Sequence, residues 1–245
     1  MLHEADLRFR PLPRPRKTTR RPFPDWASYT PNSIWIFDST HFTACGMIML
    51  IIEDLVSRKW ISHVASAEET HTQVRLGFEN ALAAEGLLEQ ALERAEALGA
   101  RLDPDVDDGL SPILLAVSDN GSQMIVGNIR KFMAMVAIAQ HFGRPCTPTD
   151  QSWIESLNGT IKMEYPHLLA IPTPATLRAE LDVVRTDYNT VRLHSGIGYV
   201  TPEDEHTGRG KAIRHARREG LDTARLARLA YHRNNHPNPE GPDVV

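Results

Sequence analysis

The sequence predicts an α/β fold: a mixed β-sheet with helices packed on its faces, preceded by a basic arm and followed by a helical extension. Three observations predict it. Three β-branched, aromatic and apolar runs follow one another without an intervening helix. Further short apolar runs then alternate with segments whose apolar residues recur at helical spacing. Finally, a 245-residue chain that is 41% hydrophobic and 24% charged can bury a sizeable core.

Residues 1–32 hold six prolines and no hydrophobic periodicity, so they read as an extended arm. Order begins with SIWIFDSTHF (Ser33–Phe42) and ACGMIMLIIE (Ala44–Glu53). WISHVASA (Trp60–Ala67) follows a turn at Asp54–Lys59, and the three runs together suggest an antiparallel meander. Thr70–Ala84 places Val74, Phe78, Ala81 and Leu82 on one side of a helix. Residues 85–109 carry eight acids and no aromatic residue, an acidic insertion that reads as a helical extension running into a surface loop. Pro112–Ser118 is a strand, and Asn128–His141 is a helix built on Ile129, Phe132, Met133, Val136 and Ala137. A short strand at Arg144–Thr147 leads to helices at Gln151–Met163 and Ala175–Tyr188, the latter with Leu177, Leu181 and Val184 on one face. The core therefore spans 33–207, with no internal repeat. Residues 208–245 form a basic helical extension and tail, with Ile213, Leu221, Leu226 and Leu229 interrupted by Gly220, suited to lie on DNA or on a second subunit.

The net charge of −4 conceals an asymmetry. Residues 1–24 carry seven basic side chains (Arg8, Arg10, Arg14, Arg16, Lys17, Arg20, Arg21) against Glu4 and Asp6. Residues 208–234 carry eight against Glu219 and Asp222, while residues 25–207 sum to −13. An acidic middle between basic ends fits a metal-dependent site flanked by arms that touch polyanions. The longest apolar run, Met47–Ile52, is too short for a bilayer, and no apolar stretch follows the N-terminal arginines, so a cytoplasmic location is expected. Cys45 and Cys146 form no Cys-x-x-Cys pair and are expected to be buried thiols; the eleven histidines show no zinc spacing.

Three carboxylates carry the chemistry. Asp38 sits mid-strand in IWIFDST on the pleat face of Ile34 and Ile36, where a lone charge is costly without a counter-charge or a metal. Asp119 in VSDNGSQ ends a buried strand, and if the two strands are neighbours the pair can bridge a cation. In the helix Gln151–Met163, Ile154, Leu157 and Ile161 form the docking stripe. Glu155, Asn158 and Lys162 form a second stripe rotated by about 100°, so Glu155 can point toward both aspartates. Oxygen ligands without His or Cys select Mg²⁺ or Mn²⁺, and two such ions held by three carboxylates suit phosphoryl transfer. Spacing alone leaves nuclease and transferase both open.

The set Asp38, Asp119 and Glu155, with 35 residues between the last two, resembles the DDE catalytic core of retroviral-type integrases and the insertion-sequence transposases nearest them. IWIFDSTHF, VSDNGSQ and PTDQSWIESLNGTIKMEY resemble the segments carrying the three acids. YNTVRLHSGIGYVTPEDE is similar to the ending of the insertion-sequence branch. The resemblance covers roughly residues 33–207 and implies a ribonuclease H-like fold, Mg²⁺ or Mn²⁺ as two ions, and DNA cleavage with strand transfer. By the same resemblance, Asp38, Asp119 and Glu155 are the catalytic metal ligands. Lys162, with Asn158 on its stripe, approaches DNA near the cleaved phosphate, and Asn120 and Gly121 shape the turn of the second acid. Arg192 and His194 match motif positions for which packing is at least as good a role as DNA contact. Thr40 and His41 match the first-acid motif, and His41, on the opposite pleat face from Asp38, is expected to pack. Arg14, Arg16, Lys17, Arg20 and Arg21 of the arm are expected to touch phosphates.

Eighty residues separate Asp38 from Asp119, more than is usual in that family, and 85–109 account for the excess. No helix-turn-helix or His/Cys zinc module precedes the first strand. Recognition of element ends is therefore expected from a companion helix-turn-helix protein or an upstream segment, with the chain acting as a homo-oligomer on DNA. The reading is a transposase or integrase catalytic subunit acting on element ends and target DNA. Its alternatives are a ribonuclease H-like nuclease that only hydrolyses, or a non-catalytic DNA-binding remnant of a mobile element.

Overall fold

The computed structural model describes residues 23–24, 26–99, 111–118, 127–142 and 148–235, without the side chains at 142 and 148–155. Strands β1 (Ile34–Phe42), β2 (Met47–Asp54), β3 (Trp60–Ser66), β4 (Leu114–Ser118) and β5 (Ile138–Phe142) form one sheet in the order β3-β2-β1-β4-β5. The first three are an antiparallel meander, whereas β4 runs parallel to β1 and β5 parallel to β4. The predicted mixed sheet is what forms, and β1 is its central strand.

Both faces are covered, which is why the strands read as near-continuous apolar runs. Alternate residues of β1 enter opposite cores: Ile34, Ile36 and Phe42 on one side, Trp35 and Phe37 on the other. The second core is closed by α1 (His71–Ala84), α2 (Leu88–Ala97) and α3 (Gly127–Met135) through Phe78, Ala91 and Met133. The first is closed by α4 (Pro148–Glu164) and α5 (Pro174–Thr190) through Leu157, Ile161, Leu181 and Tyr188. Two shorter-range elements follow, α6 (Pro202–His206) and the long α7 (Gly210–Asn235). Helix starts follow capping chemistry: the Thr70 and Thr173 side chains accept from Gln73 N–H and Thr176 N–H.

Four expectations need correction. The helix expected to reach His141 stops at Met135, and Ile138–Phe142 is a strand paired with β4. Ala137 takes a left-handed backbone (φ 51°), which ends the helical path, and the β-branched Ile138 then pairs opposite Leu114. The strand expected at Arg144–Thr147 lies outside the described residues. The arm does not extend to residue 32: Phe23 and Ala27 are buried in the first core, single anchors that need no periodicity. Cys45 is half-buried, its thiol 3.6 Å from the Phe42 carbonyl, and Cys146 is outside the described residues.

The fourth correction concerns Glu85, read as the first residue of the acidic insertion. It is the C-cap of α1, with its side chain buried. Its carboxylate accepts from Asn32 Nδ2 (3.0 Å), lies 2.7 Å from His206 Nε2, and pairs with Lys59 Nζ (3.1 Å). Burial would raise its pKa, but the bonds from His206 and Asn32 and the charges of His206 and Lys59 bring it down to about 2. Asn32 N–H also donates to Asp54, and Ser57 Oγ contacts His206 Nδ1 at 2.9 Å. One polar knot thus joins Asn32 ahead of β1, the end of α1, the β2–β3 turn and α6.

The outer strand β3 is protected by α5. Arg178 Nε donates to Ala65 O, Arg185 Nη1 donates to Ile61 O, and the Asn189 amide bonds both backbone groups of Trp60. These side chains occupy groups that an edge strand would otherwise leave open.

Glu53 on β2 is fully buried, and its Oε2 has no hydrogen bond among the described residues. Desolvation dominates and pushes its pKa up to about 8, against the opposing pull of Arg58 and Arg192. The folded chain holds this proton while the unfolded chain releases it near 4.5, so stability should fall as pH rises from about 4.5 to 8. Glu53→Gln keeps the shape and removes the ionisation. Thermal melts between pH 5 and 8 should show a flatter profile for the variant, with its largest gain over wild type near pH 8.

Candidate active site

Asp38 lies half-buried in the middle of β1, on the sheet face that α4 covers. A central strand excludes the simplest alternative for a mid-strand carboxylate, placement on a solvated edge. Leu157 and Ile161 sink into the core and fix the rotation of α4. That rotation turns the neighbouring stripe toward β1, where Asn158 Nδ2 donates to Asp38 Oδ2 at 3.0 Å. Asn158 Oδ1 is buried and has no hydrogen-bond partner among the described residues. Lys162, one turn further on the same stripe, is half-buried.

β1 and β4 are parallel neighbours, with Ile36 opposite Val117. Two residues after each member of that pair come Asp38 and Asp119. Asp119, Asn120 and Gly121 lie outside the described residues; Glu155 is within α4, but its side chain is outside that description. Among the described residues, accordingly, no group of three or more His, Cys, Asp or Glu side chains could hold a metal. The donors that are described at Asp38, a carboxylate and the unpartnered Asn158 amide oxygen, are hard oxygens, which fit Mg²⁺ or Mn²⁺ rather than a thiolate- or imidazole-seeking metal.

Other expected residues divide clearly. Arg192 makes a bidentate pair with Glu164 (2.6 and 2.7 Å) and stacks over the Tyr188 ring, 5.3 Å from its centroid. Those are packing contacts, tying the segment after α5 to the end of α4, and they hold the Glu164 carboxyl below its ordinary range. His194 Nδ1 accepts from Gly196 N–H at 3.1 Å, and burial beside Arg192 lowers the ring to about 4. It is therefore a neutral turn-capping acceptor. Thr40 is buried, but His41, the last residue but one of β1, is exposed, contrary to a packing role. Arg14, Arg16, Lys17, Arg20 and Arg21 lie outside the described residues. Glu53 and Glu85 are buried carboxylates outside the predicted site; Glu53, at the end of the run MIMLIIE, has a visible signal in the sequence, an acid continuing a strand buried on both faces. No helix among the described residues is long and apolar enough to cross a membrane.

The Asn158–Asp38 bond is half-screened, so its loss should be modest. Asn158→Ala is expected to lower unfolding free energy by about 1 kcal/mol, read by urea denaturation, while Lys162→Ala should leave it nearly unchanged.

Comparison with known proteins agrees with this geometry. Residues 136–202 match the integrase core domain family. The transposase for insertion sequence element IS904 of Lactococcus lactis subsp. lactis (strain IL1403) is 27% identical over 177 residues, 71% of this chain and 61% of that protein. The chain thus spans about three fifths of the length of that curated relative. Among solved structures, a chain of the simian T-cell lymphotropic virus intasome in complex with PP2A regulatory subunit B56 gamma superposes with a TM-score of 0.55. The identity is 21%, and the match covers 78% of this chain and 58% of that one. The mixed five-stranded sheet, the match of residues 136–202 to the integrase core domain family and the similarity to a transposase point the same way.

Proposed function

We propose that the chain is the catalytic subunit of a transposase or integrase, which cleaves DNA phosphodiesters at element ends and transfers the exposed 3′-OH to a target strand. The observation that carries this reading is the Asn158–Asp38 contact, because Asn158 meets the central strand and lies three residues, about one helical turn, after Glu155 in the sequence. The parallel β1–β4 register supports the same assignment for Asp119, two residues past the Ile36–Val117 pair.

In this reading Asp38, Asp119 and Glu155 hold two Mg²⁺ or Mn²⁺ ions. What such ions supply is Lewis-acid activation of the attacking oxygen and neutralisation of charge on the leaving oxygen. The protein's own contributions are positional. Asn158 fixes one Asp38 oxygen and with it the orientation of the carboxylate. Lys162, a turn beyond, contacts the DNA backbone beside the cleaved phosphate, and Asn120 with Gly121 shapes the turn behind the second acid. The arm residues Arg14, Arg16, Lys17, Arg20 and Arg21 bind phosphates without reading sequence. The chain works as a homo-oligomer on paired ends, and a companion helix-turn-helix protein supplies end recognition.

The test uses linear DNA carrying the native element ends with purified chain and Mg²⁺, followed by sequencing of the products. Joined strands are expected. Hydrolysed ends without joining would make the chain a nuclease, and DNA bound but uncut would make it a remnant. Asp119→Asn should abolish both cleavage and joining with little change in DNA affinity; strand transfer by that variant would overturn the site.

A further inference from the structure

The long helix α7 has no assigned role, and its surroundings are unusual. Its first turns are fastened to the body. Arg214 pairs with Glu205 (2.6 Å) and donates to Ile197 O, while Arg217 donates to the carbonyls of Gly198 and Tyr199. Gly210, packed against Glu205 and Arg214, is the one buried residue of the helix. From Arg218 to Asn235 every residue is exposed except the partly covered Ala224. Eighteen residues make about 27 Å of helix, projecting without a tertiary partner among the described residues. A segment of that length is marginal in water on propensity alone, so it calls for a binding partner.

The side chains indicate which kind. Arg218, Arg225 and Arg228 fall within roughly a quarter-turn of one another about the helix axis, and Lys211 continues the stripe toward the anchored end. None of the four makes an ion pair with a described residue, although Glu219 and Asp222 lie on the same helix. The exposed large apolar residues do not form a competing seam. Leu221, Leu226, Leu229 and Tyr231 spread over roughly 220° of the circumference, too wide for one helix-packing stripe. A row of unpaired guanidinium groups on a projecting helix is a match for the regularly spaced phosphates of a duplex.

We infer that α7 is a DNA-backbone contact: Arg218, Arg225 and Arg228 engage phosphates of double-stranded DNA, outside the carboxylate site and independently of the metal. This rests on the reading of the chain as a DNA-acting enzyme and adds a second, separately testable surface to it. The contact positions the duplex and reads no base.

The test measures binding of the full-length chain to a labelled 30-base-pair duplex, by fluorescence anisotropy in EDTA across a series of salt concentrations. The triple variant Arg218→Gln/Arg225→Gln/Arg228→Gln retains helix formers, which circular dichroism checks. Its slope of log affinity against log salt should be shallower by about 2–3, as expected for three lost phosphate contacts. The corresponding Arg→Lys variant should keep most of the wild-type slope. An unchanged slope in the Gln variant overturns the inference. So does a slope that stays put while light scattering without DNA shows a changed oligomeric mass, which would make α7 a contact between copies. Failure of the wild-type chain to bind the duplex at all would instead strike at the transposase reading itself.

Discussion

The docking of α4 on β1 is the constraint on which the rest depends. Leu157 and Ile161 are buried beneath the helix, and their burial alone fixes its rotation on the sheet. With the rotation fixed, Asn158 can only face the central strand, where it meets Asp38. An apolar stripe thus sets the position of a polar one, and hydrophobic packing determines which side chains share the sheet's polar end. The chemistry proposed for the chain requires that precision, because carboxylates gathered around one cation tolerate little misplacement.

The segment beyond α5 is held by two polar assemblies rather than by a large apolar surface. Arg192 joins it to the end of α4 through Glu164 and lies over Tyr188, while His206 joins α6 to Glu85, Ser57 and Asn32 ahead of β1. Charge-assisted bonds of this kind have strict geometry, so they fix orientation as well as contributing energy. Their effect is to make the C-terminal part of the core an extension of the sheet's own framework. The helix α7 then starts from a defined point, anchored by Arg214 and Arg217, before it leaves the body.

Much of this architecture was legible because periodicity and burial go together. The three meander strands, α1 with Val74, Phe78, Ala81 and Leu82, and α5 with Leu177, Leu181 and Val184 all follow from pattern and occur where expected. The stripe containing Asn158 was legible for the same reason: a docked helix has only one rotation that buries its apolar residues. β5 was not, because Ile129, Phe132, Met133 and Val136 continue a helical spacing up to Ala137, and only a left-handed residue there breaks it. Nor were the roles of Glu85 and Phe23. Each depends on what lies opposite in space, His206 and Asn32 for the one and the face of His141 for the other. The exposure of His41 depends likewise on what covers the end of β1, which no local pattern encodes.

The capping of β3 by Arg178, Arg185 and Asn189 has a consequence for how copies of this chain can meet. A sheet with an open margin can grow by recruiting a strand from a neighbour, a route that leads to runaway polymers as readily as to defined complexes. Here the backbone groups of Trp60, Ile61 and Ala65 on that margin are already bonded to guanidinium and amide groups from within the same molecule. That capping disfavours strand addition at β3 and leaves helices, loops and the opposite border of the sheet as the surfaces better suited to contacts that close on themselves.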